Sequence, residues 1–248
     1  MKLSYNDIIN KHKNKIGLCV GLGPSLRLYD KEVVNCAKNK NDYCCFSVNT
    51  FHRMIDLQAD YRVLANSVIT IDRLYKEYNE KPETALLTAD TVDTTDKRLV
   101  EKILKIDYLQ YDQRHFNHKT CQELYGCSEK RKCCEHIDPN RLTIQEELAK
   151  YTNSEFIYGT GSTVSLHMLA FCILSGCKEI YIFGIDLDYS KGYYDGITIN
   201  HDSFNPYLEE IVEDFKIINM AAKKIGVNIY SCTPESKINK YVEFKPFV

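Results

Sequence analysis

A doubly wound α/β fold built on a mainly parallel sheet is predicted by three features of the sequence. Short apolar runs of strand length end at glycine or asparagine, helical stretches lie between them, and the joints from helix to strand are short. The 248 residues, 44% hydrophobic and 27% charged, suffice for a full core. One domain over residues 1–248 is expected, with an insertion at about 91–151.

The elements follow in order. "IGLCVGLG" (16–23) is a buried strand running into a tight turn, because a short apolar run bounded by glycines has the length of a strand. "YCCFSVNTF" (43–51) and "ADYRVLAN" (59–66) are further strands, reaching Asn49 and Asn66, and "ETALLTAD" (83–90) is a fourth. From Thr91 to Tyr151 charges, cysteines and histidines break the pattern, which predicts an irregular or helical insertion. "STVSLHMLAFCILSG" (162–176) is apolar on all sides and predicts a buried helix stopping at Gly176, since glycine favours the position just past a helix end. "KEIYIFGID" (178–186) is the strand after it. A tyrosine-rich loop (187–206) leads to a helix, "YLEEIVEDFKIINMAAKKIG" (207–226), and "VNIYSCTP" (227–234) supplies a late strand. This Rossmann-like alternation places ligands beyond the carboxyl ends of the strands. Asn49, Asn66 and Asp186 should therefore face one crevice.

Composition narrows the partners. A net charge of −2, from 32 basic and 34 acidic residues, gives no field that gathers a polyanion, so nucleic acid is not expected. No apolar run reaches the roughly 18 residues that span a bilayer, and the polar N-terminus is unlike a secretory signal. A cytoplasmic location is expected, compatible with the inner face of the membrane, with peripheral membrane contact and with a homo-oligomer. Of the 11 cysteines, Cys19, Cys172 and Cys177 sit in apolar runs and read as small core residues.

Four segments carry candidate chemistry. In "GLGPSL", Gly21, Leu22, Gly23 and Ser25 either floor a phosphate site, with turn amides meeting its oxygens, or merely end a strand. Proline after Gly23 and the missing third glycine exclude the dinucleotide fingerprint. In "YGTGSTVS", Ser162 and Thr163 either cap the buried helix or also contact a nucleotide. Gly184 and Asp186 end their strand beside the tyrosine-rich loop, which holds Asp188, Tyr189, Tyr193, Tyr194, His201 and Asp202. That loop is either an active-site lid, with His201 able to take a proton from a hydroxyl at neutral pH, or a surface loop with an idle histidine. The cluster Cys121, Cys127, Cys133, Cys134 and His136 has enough ligands for zinc but not the usual paired spacing, so no metal is assigned to it.

"GLGPSL", "GSTVSLHMLAFCILSGCKEIYIFGIDLDYS" and "GVNIYSCTPESKINKYVEF" resemble the 6-hydroxymethylpterin diphosphokinase-like domain of bacterial polysaccharide-locus proteins. They are also similar to the related bacterial lipooligosaccharide sialyltransferases and to the flagellin-glycosylating motility accessory factors. The resemblance covers roughly the first 70 and the last 95 residues. "FSVNTF" and "YRVLANSVI", each with an asparagine at the strand end, favour the sialyltransferases, although Leu22 stands where those enzymes have asparagine.

This resemblance implies a glycosyltransferase that moves a nonulosonic acid from a CMP-activated donor to a glycan acceptor, with inversion and without a metal or other cofactor. It places the base on His201, the phosphate-assisting tyrosines on two of Tyr189, Tyr193 and Tyr194, with Tyr189 and Tyr194 preferred, and nucleotide contacts on Asn49 and Asn66. A second enzyme class is pyrophosphoryl transfer from ATP to a pterin-like alcohol, with magnesium held by carboxylates such as Asp186 and Asp188. A third is a nonenzymatic nucleotide-binding module.

Overall fold

The computed structural model describes residues 1–48, 56–64, 84–89, 107–111, 143–155, 163–196 and 208–248. Eight strands form one sheet: β1 (Ile16–Val20), β2 (Tyr43–Val48), β3 (Tyr61–Leu64), β4 (Ala85–Ala89), β5 (Tyr108–Tyr111), β6 (Glu179–Phe183), β7 (Asn228–Ser231) and β8 (Glu243–Phe244). Their order is β5-β4-β3-β2-β1-β6-β7-β8, and every adjacent pair is parallel. The chain starts at β1, steps outward to β5, crosses back to β6 and steps outward the other way. Strand order therefore reverses between β1 and β6, where an open α/β sheet leaves a crevice at the carboxyl ends.

Alternation along the strands builds two cores, one on each face. Cys19, Phe46, Ile180 and Ile182 join Leu166, Phe171, Ile211 and Phe215 in the larger one. Leu18, Val20, Cys45, Tyr181 and Phe183 join Leu26, Val33 and Ala37 in the smaller. Coverage on both faces is why these strands are nearly continuous apolar runs.

The α-helices among the described residues are α1 (Asp30–Lys38), α2 (Ile144–Tyr151), α3 (Val164–Leu174) and α4 (Leu208–Lys224). Helix α2 opens with a reciprocal cap: Glu146 N–H donates to Thr143 Oγ1 (3.1 Å) and Thr143 N–H to Glu146 Oε2 (2.7 Å). Helix α3 is buried from Ser165 to Leu174, and the chain leaves it through Gly176 at φ 90°.

Three elements were not in the sequence-based expectation: α1, β5 and β8. Strand β5 and helix α2 both fall within residues 91–151, expected to be irregular or helical. Leu109, Tyr111, Ile144 and Leu148 from them are part of the larger core. No helix among the described residues is long and apolar enough to cross a membrane. The cysteine cluster at 121–136 lies outside the described residues.

Candidate functional site

The turn after β1 and the turn after β6 are stitched together at the reversal point. Gly21 N–H donates to Phe183 O and Gly23 N–H to Gly184 O, each at 2.8 Å. Ser25 N–H donates to Asp186 Oδ1 at 3.3 Å, and its hydroxyl donates to Asp186 Oδ2 at 2.9 Å. The Ser25 oxygen also lies 2.9 Å from Thr233 Oγ1. With the serine proton given to the carboxylate, Thr233 is the donor in that second contact. The chain Thr233, Ser25, Asp186 thus ties together the ends of β7, β1 and β6.

These bonds answer part of the question posed by "GLGPSL". The amides of Gly21, Gly23 and Ser25 are spent on the protein's own acceptors, so a ligand here would meet side-chain hydroxyls and the crevice wall instead. The glycines are needed for closeness. A Cβ on Gly23 would collide with Asp186 Oδ2, and one on Gly21 would collide with Ile185 Cδ1 while standing 2.6 Å from Gly184 O. Gly184 itself is left-handed, at φ 62°.

Just beyond Asp186 the backbone is strained. Leu187, buried, sits at φ 52°, a conformation that costs a branched side chain of order 1–3 kcal/mol. The turn is braced by Ser236, whose hydroxyl donates to Ile185 O at 2.6 Å.

Burial pushes the Asp186 carboxyl above the ordinary aspartate value, and the two Ser25 bonds act against it. The folded state therefore holds the Asp186 proton more readily than the unfolded chain does. Its contribution to stability is present below the ordinary value and falls as pH rises toward the raised one. Asp186→Asn should flatten that part of the pH–stability curve and keep an acceptor for the Ser25 amide. Asp186→Ala should cost about 1–3 kcal/mol by leaving Ser25 groups unpaired. Urea melts across the acid range would measure both, and an alanine variant as stable as the asparagine variant would remove Asp186 from the bracing.

A loop closes one rim of the crevice. It begins with a 3-10 turn, Tyr189–Lys191, and crosses above the glycine turn, where Tyr194 N–H donates to Leu22 O at 2.8 Å. Arg27 Nε donates to Tyr194 O at 2.8 Å, and the Tyr194 hydroxyl donates to Asp30 Oδ2 at 2.9 Å. Burial first, and then the Asp30 carboxylate, raise the Tyr194 phenol above its ordinary value. Asp188 accepts from the Ser190 hydroxyl (2.6 Å), and Lys191 reaches Glu235 at 2.9 Å and Asp188 at 3.6 Å. Exposed pairs of this kind contribute little.

Of the residues proposed from sequence, the structure brings together Gly21, Leu22, Gly23, Ser25, Gly184 and Asp186, with Tyr194 over them. Thr163 caps α3, its hydroxyl oxygen accepting from Ser165 N–H at 3.3 Å. Only the backbone of Tyr189 is described. Asn49, Asn66, Ser162 and His201 lie outside the described residues. Thr233, Asp30 and Arg27 were not singled out from sequence. Thr233 had a signal, as a polar residue just past a strand, whereas Asp30 and Arg27 gained meaning only from their spatial partner.

No family model matches the chain, the diphosphokinase-like domain included, and no curated protein matches it. Among solved structures it is similar to the MAf glycosyltransferase from Magnetospirillum magneticum AMB-1, with a TM-score of 0.53 and 16% identity over 96% of this chain. The chain has the fold found in that glycosyltransferase. It spans 35% of the length of that protein. It is also similar to two Campylobacter jejuni proteins. The sialyltransferase CstII, in complex with the substrate analogue CMP-3FNeuAc, gives a TM-score of 0.48 at 16% identity, covering 94% of this chain and 86% of that one. The monofunctional alpha-2,3-sialyltransferase Cst-I gives 0.49 at 16% identity, covering 97% and 85%. At such identity the likeness is one of fold.

Proposed function

We propose that the chain is a sialyltransferase-like glycosyltransferase, moving a nonulosonic acid such as sialic acid from a CMP-activated donor to a glycan hydroxyl, with inversion and without a metal. The observation that carries this reading is the meeting of two motifs distant in sequence. "GLGPSL" and "GIDLDYS" interlock at the reversal of strand order through Gly23, Ser25 and Asp186. That end of the sheet is where a doubly wound fold binds nucleotides. The fold shared with a bacterial glycosyltransferase supports the same reading.

In the reaction, the bond between the donor's anomeric carbon and the CMP phosphate oxygen breaks, and the phosphate keeps the electron pair. The acceptor oxygen bonds to the opposite face of that oxocarbenium-like carbon and loses its proton to His201. The resemblance assigns two of the loop tyrosines Tyr189, Tyr193 and Tyr194 to hydrogen bonds with the departing phosphate. Asn49 and Asn66 contact the nucleotide. The protein acts in the cytoplasm, with peripheral contact at the inner face of the membrane.

The alternative, magnesium-dependent transfer from ATP, needs carboxylates free to share an ion. Asp186 is instead engaged by Ser25, and Asp188 by Ser190 and Lys191. A thermal-shift series with CMP, UDP, GDP and ATP, each with and without magnesium, distinguishes the two. Stabilisation by CMP that is indifferent to magnesium is expected. Stabilisation by ATP only with magnesium, and none by CMP, would overturn the assignment. His201→Ala should abolish transfer and leave CMP affinity unchanged, because a base acts on the acceptor; undiminished turnover would remove its role.

A further inference from the structure

The loop over the crevice is fastened at one residue. Tyr194 uses its backbone N–H on Leu22 O, its backbone carbonyl on Arg27 Nε and its hydroxyl on Asp30 Oδ2, at 2.8, 2.8 and 2.9 Å. Asp30 opens α1, and its other oxygen accepts from Lys31 N–H at 2.7 Å, so the carboxylate is itself oriented by the helix start. Neighbouring tyrosines then grip both sides of the sheet. Tyr193 packs against the larger core and Tyr194 against the smaller. A segment whose consecutive side chains enter opposite cores must pass over the carboxyl edge of the sheet.

This arrangement assigns Tyr194 a different task from the phosphate contact. A phenol has one proton to donate, and in this structure it goes to Asp30. We propose that Tyr194, Asp30 and Arg27 form a clamp that positions the loop against the glycine turn, leaving the phosphate contact to Tyr189. Tyr194 and Asp30 are then positioning residues. They shape the donor end of the crevice without touching the donor. The inference rests on the glycosyltransferase reading only for the identity of the donor; the clamp itself rests on the bonds above.

The variants Tyr194→Phe, Asp30→Ala, the two combined, and Asp30→Asn provide the test. Asparagine keeps an acceptor for the phenol and removes the charge, so it separates the clamp from any effect of Asp30 on the helix dipole. Hydrogen exchange of the 187–196 segment in ligand-free protein should rise by about tenfold or more in Tyr194→Phe and Asp30→Ala. The combined variant should be no faster than either single one, and Asp30→Asn, whose single amide oxygen can take the phenol or the Lys31 N–H but not both, should lie between the parent protein and Asp30→Ala. CMP titrations should follow the same pattern, with Kd raised about tenfold, as loss of one hydrogen bond to a charged group allows. Exchange unchanged in Tyr194→Phe and Asp30→Ala would overturn the clamp. So would weaker CMP binding in Tyr194→Phe with Asp30→Ala behaving as the parent, because the phenol would then act on the donor directly. If the parent protein fails to bind CMP, the functional assignment falls, and the exchange result still decides the clamp.

Discussion

Gly23→Ala is expected to destabilise the protein by about 3 kcal/mol or more. Gly23 has φ −69° and ψ 160°, extended backbone open to any residue, so conformation does not demand glycine there. Space does. The added methyl would collide with Asp186 Oδ2 and stand 2.8 Å from both Asp186 Cγ and Gly184 O. Neither neighbour can yield cheaply. The carboxylate is held by the Ser25 amide and hydroxyl, and Gly184 O accepts from the Gly23 amide itself. Overpacking costs about 1–3 kcal/mol, and displacing the half-buried carboxylate from its donors adds about 1–3 kcal/mol more. Because the clash and the lost bonds share Asp186, the effects of Gly23→Ala and Asp186→Ala should not add. The combined variant should recover about 1 kcal/mol or more relative to the sum. Denaturant titration of the three variants measures this, and an additive pair would mean that the methyl and the carboxylate do not meet.

The parts of the fold legible in the sequence are those whose burial is total. Strands β1, β2 and β6 and helix α3 announce themselves as apolar runs, because both faces of the sheet are covered and α3 is surrounded. Helix α1 has only nine residues, and its apolar positions Val33, Val34, Cys36 and Ala37 crowd into little more than one turn, too short a stretch for the helical period to stand out. Strand β5, "YLQY", buries Leu109 and Tyr111 but presents a glutamine and a tyrosine on its other side, and it stands alone among charged residues. Strand β8 spans two residues.

The site divides along the same line. The glycine turn and Asp186 could be picked out because each ends a strand, and strand ends are where this fold puts chemistry. That Gly23 makes room for a carboxylate, and is not there chiefly to free its amide for phosphate, could not be read from residue type. Both uses need a glycine, and only the partner 163 positions away distinguishes them.

A second glycine, near the start of β1, makes a harder demand of the core. Gly17 weakens a strand by its flexibility, so its presence there requires a neighbour that needs the room. The neighbour is Cys172 of α3. A methyl on Gly17 would run into Cys172 Sγ and lie 3.2 Å from Cys177 Cβ and 3.3 Å from Ile180 Cγ1. Cys172 is fully buried, and burial pushes its thiol well above the ordinary cysteine value, so it packs there as a neutral small hydrophobe. Gly17→Ala should therefore cost about 1–3 kcal/mol through overpacking between β1 and α3. Cys172→Ala leaves a small void in its place and should cost about 1 kcal/mol. Combined, the two changes move one small group across the interface, from helix to strand, with little change in volume. The double variant should unfold within about 1 kcal/mol of the parent protein, a compensation that equilibrium urea melts can read directly. Costs that simply sum would show that Gly17 is kept for some property of the strand itself, and not for the sulfur packed against it.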